Sequence, residues 1–129
     1  MREYSELKEV MDFNPDLFNG LNPKLIIKFK VWIPDNVHIY NEFVKETLKT
    51  PIQEGRKRYS AGRIWQGLRW DTLLTENGIQ SLDFKVNNNY CPYIAWLSME
   101  LEPELKGMFT KRRNPIYLKR NENETRKSL

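Results

Sequence analysis

The sequence predicts a mainly α protein of three principal helices with a small two-stranded β element, an order compatible with a helix-turn-helix or winged-helix arrangement. The first observation is the stretch from Arg56 to Trp70, where Ser60 stands as a helix cap and Ala61, Ile64, Trp65, Leu68 and Thr72 recur on one face. This helix is expected to form the core. The second is two further helical patterns. Asp35 stands as a cap before Val37, Tyr40, Val44 and Leu48, with Phe43 at the border, and Cys91-Pro92 opens a helix with Tyr93, Ile94, Leu97, Ser98 and Leu101 inward and Trp96 near its edge. The third is alternation of period two. From Leu25 to Ile33, the residues Ile27, Phe29, Val31 and Ile33 face one way and Lys28, Lys30 and Trp32 the other; Leu82, Phe84 and Val86 alternate in the same manner with Ser81, Asp83 and Lys85.

The remaining elements follow in order. Ser5 to Phe13 reads as a short helix capped by Ser5, with Leu7, Val10 and Met11 on one side. Asn14-Pro15 starts another turn that Gly20 closes, and both pieces read as a packing arm. Pro34 ends the first strand. Thr50-Pro51-Ile52-Gln53 repeats a helix-start signature, and Glu76-Asn77-Gly78 marks a turn before the second strand. Asn87, Asn88 and Asn89 suit a turn or cap. Glu102-Pro103 ends the third helix, and Leu105, Met108 and Phe109 with Gly107 form an apolar turn that packs back on the core.

At 129 residues the chain has room for one ordinary domain. The expected division is a globular part over residues 1–113, comprising an N-terminal arm and first strand (1–32) and a helical core (33–113), followed by a basic, partly mobile tail (114–129). The 16 aromatics supply buried area that a disordered chain lacks. No apolar run reaches the roughly 18 residues of a membrane span, and the N-terminus has no signal-peptide core, so the expected location is cytoplasmic, without a membrane partner. One cysteine, Cys91, and one histidine, His38, leave no internal disulfide and no thiolate-rich or imidazole metal site, so neither metal nor cofactor is expected.

Charge is unevenly spread. The chain carries +4 overall, made of −2 over residues 1–54 and +6 over residues 55–129. Arg56, Lys57, Arg58, Arg63 and Arg69 lie at the start and on the outer faces of the central helix, and Lys106, Lys111, Arg112 and Arg113 precede the tail. Such a distribution suits nucleic acid or another acidic partner. Solvated surface cations are as common an explanation.

The words Asp35-Asn36-Val37-His38-Ile39-Tyr40-Asn41-Glu42-Phe43, Gly55-Arg56-Lys57-Arg58-Tyr59-Ser60-Ala61, Leu68-Arg69-Trp70, Phe84-Lys85-Val86-Asn87-Asn88-Asn89-Tyr90-Cys91-Pro92-Tyr93 and Gly107-Met108-Phe109-Thr110-Lys111-Arg112-Arg113 occur in this order. In them the chain resembles a family of small proteins of unknown function encoded in tailed phages and prophages. The resemblance covers residues 33–113, with Cys91 in place of a Ser or Ala. It implies a phage or prophage gene expressed in bacterial cytoplasm, and it carries no activity.

Binding is therefore the expected function, with nucleic acid ahead of a host or virion protein. The third helix is poor as a recognition helix because its outer side carries Glu100 and Glu102 and no Lys or Arg. Nucleic acid is expected instead to run over Arg56, Lys57, Arg58, Arg63 and Arg69 together with Lys111, Arg112 and Arg113, through phosphate contacts. A protein partner would use Tyr59 and Trp70 as anchors, being aromatic residues flanked by charge. No enzymatic activity is expected. Asp83-Phe84-Lys85 with Asp35 is a fragment of a metal-dependent nuclease pattern, too short to distinguish from chance, and Asp35 is better explained as a cap. His38 lies on a helix surface, and Cys91 reads as a small buried hydrophobe rather than a nucleophile. The oligomeric state is not legible.

Overall fold

The computed structural model describes residues 1–49, 55, 58–75 and 87–118, with the backbone alone for residues 69–75, 87 and 88. Among them are five α-helices and no strand: α1 (Tyr4–Phe13), α2 (Pro23–Trp32), α3 (Val37–Thr47), α4 (Ala61–Thr75) and α5 (Cys91–Leu101), joined in part by short 3₁₀ turns. The expected strand at 82–86, the turn at 76–78, the helix start at 50–53 and the end of the tail lie outside the described residues.

The largest correction concerns Leu25 to Ile33, which is helix and not strand. Asn22 caps it, its side-chain oxygen accepting from the Lys24 N–H at 2.9 Å, and Pro23 takes the first helical position, where a missing N–H costs nothing. A helical period then turns Phe29 and Ile33 into the core, with Leu25, Ile26 and Trp32 half-buried beside them, and leaves Ile27 and Val31 outside. The two-stranded element therefore loses its first strand, and the picture of three principal helices gives way to five.

A second correction concerns the centre of the core. Residues Tyr93 to Ser98 of α5 are buried without a break, Trp96 included, while α4 contributes Ile64, Trp65 and Leu68. Helices α1, α3 and α4 all pack on α5. In the N-terminal segment, Leu7 and Met11 of α1 and Leu17 and Phe18 of the following turn belong to the same buried cluster. Phe18, Phe29 and Tyr93 pack ring to ring at 5.4 to 5.7 Å, and the Tyr93 hydroxyl donates to the Asn22 carbonyl at 3.1 Å, which joins α5 to the start of α2.

Smaller differences have local causes. Glu3, not Ser5, precedes α1, with its N–H donating to the Glu6 carboxylate at 3.4 Å. Asp35 lies in a 3₁₀ turn (Ile33–Asp35) and does not cap α3, whose N-terminal neighbour is Asn36. The buried side of α3 is Ile39, Tyr40, Phe43 and Thr47, so Phe43 sits inside rather than at the border. The expected α5 is observed from Cys91 to Leu101, and Leu105, Met108 and Phe109 fold back into the core as expected.

Candidate nucleic-acid interface

The two basic segments are joined through the backbone. The Tyr59 N–H donates to the Met108 carbonyl at 3.1 Å, immediately after Arg58 and three residues before Lys111. Chain reach then holds the Cα atoms of Arg58 and Lys111 to about 20 Å apart at most. One residue further on, the Ser60 hydroxyl accepts from the Arg63 N–H at 3.4 Å and its carbonyl accepts the same N–H at 3.1 Å, which sets the start of α4. Arg58 and Arg63 are exposed beside this start.

The second segment is fixed by an aromatic ring. The Lys111 Nζ lies 5.3 Å and the Arg113 Cζ 5.5 Å from the ring centroid of Trp96, so both cations lie against a ring of the core while remaining on the surface. Arg113 is held further by its Nε–H to the Asn19 carbonyl at 3.2 Å, and the Asn114 N–H donates to the Gly20 carbonyl at 2.8 Å. Arg112, between them, is exposed and makes neither contact.

The sequence-derived site thus divides. Arg58, Arg63, Lys111, Arg112 and Arg113 lie on two neighbouring surface segments. Arg56 and Lys57 lie outside the described residues, and for Arg69 and Trp70 only the helical backbone of α4 is described. Tyr59 is half-buried against the core. A recognition helix is ruled out for α5, because a helix buried along Tyr93 to Ser98 has no face to put into a groove. His38 is exposed on α3, and Cys91 is half-buried, with burial pushing its thiol up to about 12. Asp83 and Lys85 lie outside the described residues, while Asp35 is exposed at its turn.

One constellation has no counterpart in the sequence reading. The Arg2 guanidinium donates to both carboxylate oxygens of Glu102 at 3.1 Å and to Glu6 Oε2 at 2.6 Å, and the buried Tyr40 hydroxyl donates to Glu102 Oε2 at 2.9 Å. Burial, then the Glu102 charge, raises the Tyr40 phenol far above its ordinary value, and the hydrogen bond from Arg2 lowers the Glu6 carboxyl. An open cleft of about 830 Å³ adjoins it, between Arg2, Asn41, Val44, Lys45 and Leu48. With one guanidinium shared between two carboxylates, this cluster clamps elements together and keeps a net charge of −1. Its local signal in the sequence is the Arg2/Glu6 spacing of four residues. Among the described residues, no three His, Cys, Asp or Glu side chains come together as a metal-holding group, and no helix is long and apolar enough to cross a membrane.

No protein-family model, curated protein or solved structure matches this chain.

Proposed function

We propose that the protein is a small phage- or prophage-type binding protein that holds nucleic acid non-specifically through its basic surface. The observation that carries the reading is the Tyr59–Met108 backbone bond, which makes neighbours of the Arg58–Arg63 and Lys111–Arg113 segments. Exposed cations on adjacent segments suit a phosphate backbone, whose condensed counterions they would displace. Burial of α5 favours phosphate contacts over base readout, so affinity should be about micromolar or weaker near physiological salt. The host cytoplasm is the expected compartment on the same reading.

The test is fluorescence anisotropy with two unrelated duplexes at about 50 and about 200 mM salt. Arg58→Gln, Arg63→Gln and Arg112→Gln leave the Trp96 stack intact, and combined they should weaken both duplexes equally, lowering the salt slope by roughly one unit per lost contact. Absence of association at the lower salt overturns the proposal and moves a protein partner into first place. The observation that favours that second reading is an exposed aliphatic pair on α2, Ile27 and Val31, rather than Tyr59.

A further inference from the structure

The outer face of α2 combines two features that rarely occur together on a solvated helix. Ile27 and Val31, one turn apart, are 67% and 73% exposed. Lys24, Lys28 and Lys30 are exposed around them, the helix itself contains no carboxylate, and among the described residues none of the three forms an ion pair. Beside this face runs an open groove of about 570 Å³ lined by Ile27, Lys28, Val31, Trp32, Asp35 and Tyr90. The Trp32 and Tyr90 rings meet there at a 45° tilt with centroids 4.9 Å apart, and the indole Nε1 of Trp32 is buried with no acceptor among the described residues.

We infer that this face is a docking site for an acidic amphipathic helix of a partner protein, its apolar side chains seated along Ile27 and Val31 and its carboxylates opposite Lys24, Lys28 and Lys30. This rests on the protein-binding reading and is independent of the basic surface around Arg58. Charge complementarity selects the occupant. A second copy of this chain would set lysine against lysine, with only Asp35 at the end of the groove to compensate. A nucleic acid would pair with the lysines but would lay phosphates over two aliphatic side chains, which gain nothing from them. A helix with apolar residues at i and i+4 and glutamates on its flanks satisfies both features, in the helix-in-groove manner.

The experiment is a titration of the full chain with a fluorescent synthetic helical peptide bearing leucines at i, i+3 and i+4 spacing and glutamates elsewhere, alongside a copy with lysines for the glutamates. The acidic peptide should bind and the lysine copy should not. Ile27→Asp with Val31→Asp, at exposed positions that leave the helical circular-dichroism signal unchanged, should weaken binding about tenfold or more and leave duplex DNA binding untouched. Combined Lys24→Glu, Lys28→Glu and Lys30→Glu should exchange the preference, so that the variant takes the lysine peptide. The inference is overturned if the wild type binds neither peptide or both alike, if Ile27→Asp with Val31→Asp has no effect on peptide binding, or if those substitutions abolish a self-association seen by sedimentation.

Discussion

Arg2 and Glu102, 100 residues apart in the sequence, meet as a two-pronged ion pair, Nε lying 3.1 Å from Oε2 and Nη2 3.1 Å from Oε1. Asn41 completes the clamp, its side chain exchanging two 2.9 Å hydrogen bonds with the Arg2 backbone. The N-terminus, α3 and the end of α5 are thereby fastened at one point. The Glu102 side chain is only 12% exposed, so removing it leaves the buried Tyr40 phenol without its acceptor and Arg2 with Glu6 alone, unlike the loss of a surface pair. Glu102→Ala should cost about 2 to 3 kcal/mol in urea unfolding, and Tyr40→Phe about 1 kcal/mol. Because both act through Oε2, the double variant should lose less than the sum of the two, and strict additivity would contradict the shared contact.

Gly20 should tolerate no side chain. Its φ is +101°, and a Cβ there would lie 2.6 Å from Arg113 Cβ and Cγ and 3.1 Å from its Cα. The neighbouring backbone cannot retreat freely, because the Asn114 N–H is bonded to the Gly20 carbonyl at 2.8 Å. Gly20→Ala should destabilise by about 2 kcal/mol, the sum of left-handed strain and the close approach. A urea midpoint equal to that of the wild type would place the 111–114 segment elsewhere.

Ser60→Ala probes the start of α4. The hydroxyl is 3.4 Å from the Arg63 N–H and exposed, a long cap that competes with water. The expected loss is about 0.5 to 1 kcal/mol, at the lower end for such caps. A loss of more than about 2 kcal/mol would mean that Ser60 does more than cap.

How much of this was legible depends on the range of the interactions. Ser60 before α4 and Cys91-Pro92 opening α5 are local signals, and both elements stand where the sequence placed them. The α2 segment reads as a strand because Ile27, Phe29, Val31 and Ile33 alternate with Lys28 and Lys30, while the same run also fits a helical face of Leu25, Phe29 and Ile33. Asn22-Pro23 was the deciding signal, since a cap followed by proline starts a helix. The exposure of Ile27 and Val31 hid it, because a helix with aliphatic residues on its outer side breaks the usual amphipathic pattern. For the candidate site, the basic segments could be seen as composition, but their adjacency rests on a bond between residues 59 and 108 that no local pattern announces. The Arg2–Glu102 pair was invisible for the same reason.

The last prediction concerns alkaline pH. Burial pushes the Cys91 thiol from 9.0 up to about 12, and burial, with smaller contributions from Tyr117 and Tyr90, pushes the Tyr93 phenol from 10.0 up to about 12. In the unfolded chain these groups give up their protons near their ordinary values, whereas the folded chain keeps them. Between about pH 9 and about pH 12 the native state therefore binds more protons than the unfolded one, and stability falls as pH rises. The contribution is intact below the ordinary thiol value and is progressively lost above it. Urea midpoints should be level up to about pH 8 and decline from about pH 9, and Cys91→Ala should delay the onset of that decline toward the ordinary phenol value of 10.0. If the variant and the wild type decline in parallel from the same pH, the Cys91 thiol titrates in the folded protein as it does in water, and its place against the core is wrong.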